Sequence, residues 1–306
     1  MSTAIRDTKP GDPSRLPDPT VEAQRPAPPR KTWLIGAAAA GVVTVALWLA
    51  RGSARGKGAV VYPPVDMLKP VAPDIWIVDS GPINAMGLTL PVRMTVVRLK
   101  DGGLWLHSPT RHTPALERAL AELGPVRHLV APTVAHWTFL EAWQRACPDA
   151  TSWAVPALRD RGAVRRSGVR IDRDLLDTAP AEWADAIGQG IVRGGAGFEE
   201  AWFLHRDSRT LILADLIENL EPAKLPPVTA AMMCATLATR ATTGVHVRAA
   251  LTLGGEAARA AIRRMVATAP ERVIFAHGTP FDSDGAARLW QAFDWIAPGG
   301  AVPVPG

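Results

Sequence analysis

From about residue 75 onward, apolar positions either alternate with polar ones or run together in short blocks, and each pattern predicts an element. Ile75-Trp76-Ile77-Val78 and the stretch from Val92 to Leu99 have the composition and period of strands. Asp101-Gly102-Gly103 is a turn sequence leading into a third strand, Leu104-Trp105-Leu106. The period then changes. Thr113 predicts an N-cap with Pro114 at the first helical position, Leu116, Leu120 and Leu123 share one helical face, and Gly124 ends it. The block Leu129-Val130-Ala131 predicts a buried strand, followed by a helix with Phe139, Leu140 and Trp143 on one face and a short strand from Thr151 to Val155. The charged stretch from Arg159 to Ala186 has no period and predicts irregular chain.

The second half repeats this logic. Strands are expected at Gly190 to Arg193, Ala201 to His205 and Thr210 to Ala214, the last two joined by the turn Arg206-Asp207-Ser208-Arg209. Helices are expected at about 229–240, 255–269 and 284–296, with Ala258, Ile262, Met265, Val266 and Ala269 forming a stripe on the second and irregular chain around His246 before it. The strand Arg272 to Ala276 lies between the last two helices. Two strand-rich halves with helices outside predict a layered α/β domain with two sheets in the middle.

The chain before this domain has a different character. Residues 1–31 hold seven prolines and almost no large apolar side chains, so they are expected to be a disordered tail. From Trp33 to Ala50 run 18 residues without a charge, bracketed by Arg30-Lys31 and Arg51, with Trp33 and Trp48 near the two ends. At about 1.5 Å per residue such a run just reaches the thickness of a bilayer core. A cleaved signal peptide or a buried core helix is the competing reading; a secretory apolar region is usually shorter, and Leu49-Ala50-Arg51-Gly52-Ser53-Ala54-Arg55 is a poor cleavage site. The boundaries are therefore read as a tail over 1–31, a transmembrane helix over 32–50, a linker over 51–66, the folded domain over 67–296 and a C-terminal tail over 297–306. Arg25, Arg30 and Lys31 face Arg51, Arg55 and Lys57 across the apolar run, so the positive-inside rule assigns no side.

Charge and cysteines narrow the partners. The net charge of +5 resides in residues 1–59, with nine Lys/Arg against four Asp/Glu; residues 60–306 carry 25 of each. A basic segment beside an apolar run suits an anionic lipid surface, whereas a neutral domain lacks the footprint that nucleic acid requires. The expected partner is thus the lipid bilayer, with no nucleic acid. Cys147 and Cys234 form no CxxC, so neither a disulfide framework nor a thiolate metal site is expected, and Cys147 reads as a small buried hydrophobe.

Three metal-capable residues occupy the same kind of place, just beyond an apolar strand: His136 after Leu129 to Pro132, Asp215 after Leu211 to Ala214, and His277 after Val273 to Ala276. Layered α/β folds gather their sites at strand ends. Two imidazoles and a carboxylate suffice for one zinc or non-haem iron ion with an open position, although a strand-end histidine also serves as a hydrogen-bonded structural residue. His107, His112, His128, His205 and His246 read as surface or structural residues, and the many tryptophans as core.

From about Met67 to Ile296 the chain resembles the metallo-β-lactamase superfamily, in particular a branch known as the domain-of-unknown-function family 4336. The stretches that carry the resemblance are Leu90 to Leu99, Leu104 to Pro109, His128 to His136 and Phe203 to Asp215. It implies a four-layer αββα sandwich. The superfamily motif Thr-His-x-His-x-Asp-His, laid over Val130 to His136, meets Ala131 and Thr133 at its first two histidines, Ala135 at its aspartate and His136 at its last histidine. The Gly-His-Thr motif falls near Gly195-Ala196-Gly197, again without its histidine, with Glu199 and Glu200 nearby as substitutes or as salt-bridged residues. Asp215 matches the bridging aspartate and His277 the final histidine. The resemblance therefore implies at most one zinc or iron ion, on His136, Asp215 and His277, with Glu200 a candidate for a further ligand position, and gives no support to a two-metal mechanism.

Two functions follow. The first is a membrane-anchored, non-catalytic binding or scaffolding module that keeps the three residues as internal hydrogen-bond partners. The alternative is a mononuclear metal-dependent hydrolase of an ester, thioester or amide-like substrate. No glycine-rich phosphate loop, nucleophile elbow or paired acid/base carboxylates are present, so the sequence gives no ground for kinase, serine-hydrolase or glycosidase chemistry.

Overall fold

The computed structural model describes residues 60–85 and 87–298, all within one compact unit. The expected N-terminal tail, the apolar run at 33–50 and residues 299–306 of the expected C-terminal tail lie outside the described residues, whereas Ala297 packs on the core. Among the described residues no helix is long and apolar enough to cross a membrane.

Among the described residues eleven strands form two sheets. The first has seven in sequential order: β1 (Lys69–Ala72), β2 (Ile75–Ala85), β3 (Leu88–Arg98), β4 (Leu104–His107), β5 (Val126–Ala131), β6 (Thr151–Ala154) and β7 (Arg173–Asp174). Neighbours from β1 to β4 are antiparallel and those from β4 to β7 parallel. The change coincides with α1 (Pro114–Leu123), because a parallel partner needs a crossover. Thr113 caps that helix as expected, accepting the Leu116 amide on its hydroxyl, and Leu116 and Leu120 are buried. The second sheet has the order β11-β10-β9-β8, from β8 (Ile187–Arg193), β9 (Glu199–His205), β10 (Thr210–Ile212) and β11 (Arg272–Ile274).

Strand alternation separates two cores. Ile212 and Ile274 point inward and share a cluster with residues of the first sheet. Leu211, Leu213, Val273 and Phe275 point outward and pack with α5 (Val245–Leu253), α6 (Gly255–Val266) and α7 (Gly285–Phe293). The two sheets meet directly: the Trp105 ring on β4 stands edge-on to Phe203 on β9, with centroids 4.8 Å apart. α2 (Leu140–Ala146) packs against β5 on the far side of the first sheet. The result is a mixed α/β sandwich, as the alternating patterns imply.

The structure differs from the sequence expectation in three places. Residues 245–253 form α5, not irregular chain; Val245-His246-Val247 alternates like a strand, and only the four-residue spacing of buried Val247 and Leu251 marks a helix. The stretch 159–186 holds the short helix α3 (Gly162–Arg165) and β7. The packed chain also starts before residue 67, since Val60 is buried against Leu220, Leu225 and Met233, the last on α4 (Pro227–Ala235). Cys147 is half-buried and unpaired.

Candidate metal centre

Three chain segments deliver the site. His136 follows β5 by way of Thr133, whose hydroxyl accepts the Ala135 amide and turns the chain. Asp215 follows β10, and His277 follows β11. One ligating atom from each of His136, Asp215 and His277 lies within 4.8 Å of the others. The Nε2 atoms of His136 and His277 stand 3.0 Å and 3.4 Å from Asp215 Oδ1. The triad is partly open, since the Asp215 side chain is 19% exposed against 9% and 8% for the two imidazoles.

Both rings are fixed from behind. His277 Nδ1–H donates to the Pro91 carbonyl at 2.8 Å, and because a carbonyl only accepts, this bond puts a proton on Nδ1 and aims Nε2 at Asp215. His136 Nδ1 shares a hydrogen bond with the Ser108 hydroxyl. Ser108 takes a left-handed φ of +53° at the end of β4, a conformation uncommon outside glycine, in order to present that hydroxyl. Thr133 donates to Asp215 Oδ2 at 3.3 Å. Gly278 makes the turn after His277: its φ is +95°, and a Cβ there would lie 2.0 Å from the Asn219 carbonyl oxygen.

Electrostatics tie the triad together. Burial by itself would raise the Asp215 carboxyl, but the His136 and His277 imidazoles beside it hold it well below the usual carboxylate range. Burial would likewise lower His277, yet the hydrogen bond and charge of Asp215, with Glu218 behind them, hold it above the ordinary histidine value.

The glutamates near the superfamily's third motif have other work. Glu200 is fully buried, but its two oxygens accept the Ala214 and Asp215 amides at 2.7 Å and 2.9 Å. It braces the backbone that carries Asp215, and it stands outside the group of three whose donor atoms converge. Burial, and then the Asp215 charge, raise the Glu200 carboxyl well above its ordinary range, against the pull of those amides. Glu199 pairs with Arg193 at 3.2 Å and accepts the Ala157 amide at 2.8 Å. The Gly195 amide bonds the Ala250 carbonyl, which fixes the glycine-rich turn against α5.

Sequence reasoning passed over several supporting residues. His107 is buried at the end of β4, where the strand-end argument used for the triad points to it as well, and its Nε2 has no partner among the described residues. Glu218 lies three residues past Asp215 and is also buried, with Oε2 unpartnered among the described residues. Ser108, Pro91 and Arg93 carry no signal in a single sequence. His112 pairs with Glu117, His128 accepts from Trp153 Nε1 and His205 bonds Ser208, all structural roles, as expected.

Two stacked sheets with helices outside, and a His/Asp/His group at the ends of three strands, define a protein of the metallo-β-lactamase fold. The chain belongs to the DUF4336 family, a domain of unknown function, which matches residues 73–252. Among solved structures, a DIM-1 metallo-β-lactamase exposed to ceftazidime is 12% identical with a TM-score of 0.53, over 79% of this chain and 100% of that one. A metallo-β-lactamase from Hirschia baltica is 11% identical, TM-score 0.51, over 76% and 99%. The metal-soaked Flv1 flavodiiron core from Synechocystis sp. PCC6803 is 9% identical, TM-score 0.52, over 75% and 60%. At such identities the likeness speaks for the fold. No curated protein matches the chain.

Proposed function

We propose that this domain holds one zinc or iron ion on His136, Asp215 and His277 and is a metal-dependent hydrolase of an ester, thioester or amide-like substrate, tethered to a membrane by residues 33–50. The observation that carries the reading is the convergence of the three donors, with both Nδ1 atoms hydrogen-bonded elsewhere so that both Nε2 atoms face one carboxylate oxygen. Two imidazoles and a carboxylate fit either ion. Such an ion supplies a Lewis acid that activates water and polarises a carbonyl. The chain's own contribution is orientation: Ser108 and Pro91 fix the rings, Glu200 fixes the Asp215 backbone, and Asp215 forms the side open to solvent.

A non-catalytic binding module is the second reading. It is favoured by the direct approach of both imidazoles to Asp215 Oδ1, which lets the triad satisfy itself without an ion.

Metal analysis of the purified chain separates the two. The hydrolase reading expects about one equivalent of zinc or iron per chain, lost in His277→Ala, and a melting temperature that rises with added metal because binding favours the native state. A chain that takes up no metal, and melts identically with and without it, would be the non-catalytic module.

A further inference from the structure

The two buried glutamates beside the triad are in opposite situations. Glu200 has both oxygens on backbone amides. Glu218 is 8% exposed, and its Oε2 has no partner among the described residues. The charged groups acting on its carboxyl include His277, Asp215 and His136, although it stands outside the group of three whose donor atoms lie within 4.8 Å of one another.

The backbone is shaped to keep it there. Glu218 forms an isolated bridge with Thr242, and the next residue, Asn219, donates its amide to the His277 carbonyl at 3.1 Å. At Gly244 a Cβ would lie 2.6 Å from Glu218 Oε2, so the absence of a side chain is what admits the carboxylate. An unpartnered buried carboxylate oxygen costs stability and calls for an explanation outside the visible hydrogen bonds.

We propose that Glu218 is the outer carboxylate of the cation site, a second negative charge buried beside an ion held by His136, Asp215 and His277. The inference rests on the metal-site reading above. A divalent ion with Asp215 alone leaves one positive charge half-buried beside two imidazoles; Glu218 makes the site neutral and gives its orphaned oxygen a cationic partner.

The test is zinc affinity of the full-length chain in detergent, measured by competition with a chelator, for wild type, Glu218→Gln, Glu218→Asp, Gly244→Ala and, as a control for overall charge, the exposed helix residue Glu256→Gln. Glu218→Gln should bind zinc about 10- to 100-fold more weakly. Its metal-free form should melt no lower than wild type, because an unpartnered buried charge has been removed. Glu218→Asp keeps the charge but draws it back and should recover part of the affinity, Gly244→Ala should weaken binding by displacing the carboxylate, and Glu256→Gln should match wild type. Equal zinc affinity in Glu218→Gln and wild type overturns the role of Glu218 and leaves the three-residue site standing. A metal-free Glu218→Gln that melts well below wild type marks a structural carboxylate and also overturns it. A wild-type chain without zinc affinity overturns this inference and the metal-site reading together.

Discussion

His107 shows how one side chain couples the core to the site. Its ring stacks on Trp105 and meets Phe203 edge-on at 5.6 Å, in the layer between the sheets. Burial first, and then the charge of His136, lower its pKa from 6.5 to about 3. Between those values the unfolded chain binds a proton that the folded chain refuses, so stability present above pH 6.5 is lost as the pH falls, by up to about 1.4 kcal/mol per pH unit. His277 has the opposite sign: its raised pKa contributes stability that is complete below the unfolded value and is lost as the pH climbs through the folded one. His107→Phe keeps an aromatic ring in place and removes the titration. Denaturant unfolding from pH 7 down to pH 4 should then show a shallower loss of stability in the variant by about 1 kcal/mol per pH unit. Parallel curves would mean that His107 is protonated in the fold and that the lowered pKa is wrong.

At the scale of elements, the first sheet holds the site residue supplied by the second. Pro91 and Arg93, two apart on β3, both face the turn after β11. The Pro91 carbonyl takes the His277 ring proton, and Arg93 Nη1 donates to the Phe275 and Gly278 carbonyls at 3.0 Å and 2.6 Å. Arg93 Nη2 is anchored by Asp79 of β2 at 2.7 Å, both side chains nearly inaccessible, and Lys69 shares Asp79. Arg93→Met strips two carbonyls of their donor and leaves Asp79 with Lys69 alone, a loss of about 3–5 kcal/mol by urea denaturation. Arg93→Met combined with Asp79→Asn should recover part of it, because the second change removes the uncompensated charge. A single-variant cost below about 1 kcal/mol would show that this network does not hold the turn. None of these contacts is legible in one sequence, since Arg93 and Phe275 belong to different sheets. His136, Asp215 and His277 were legible because each follows an apolar block, a local pattern that survives without knowledge of the pairing. For the same reason α1 was read to its capping residue, whereas α5, with weak periodicity and no side-chain cap, was read as loop.

For the whole molecule, charge and surface place the membrane tether proposed above on the N-terminal segment. Residues 60–306 have 25 basic and 25 acidic side chains, so electrostatic attraction to anionic lipid falls to residues 1–59. The large apolar side chains exposed among the described residues are Val65 and Met67 in the loop before β1, Leu176 after β7, and Val245 and Leu253 at the two ends of α5, scattered positions that are ordinary for a folded surface. With no spanning helix among the described residues, the proposed attachment would fall to the uncharged run from Trp33 to Ala50. As a helix its 18 residues reach about 27 Å, barely the hydrocarbon thickness, so a charge at its middle cannot be relieved by sliding the helix along the bilayer normal. Full-length protein should therefore pellet with membranes and stay there through alkaline carbonate and high salt. Val43→Arg, at a cost of about 2.5–3.5 kcal/mol for insertion, should shift a large fraction to the carbonate-soluble pool. Removal of residues 1–50 should release all of the chain, still folded, since the packed structure begins at Val60. Release of the full-length chain by salt alone would show that the basic residues merely adsorb to lipid, and membrane retention of the shortened chain would place the contact on the domain.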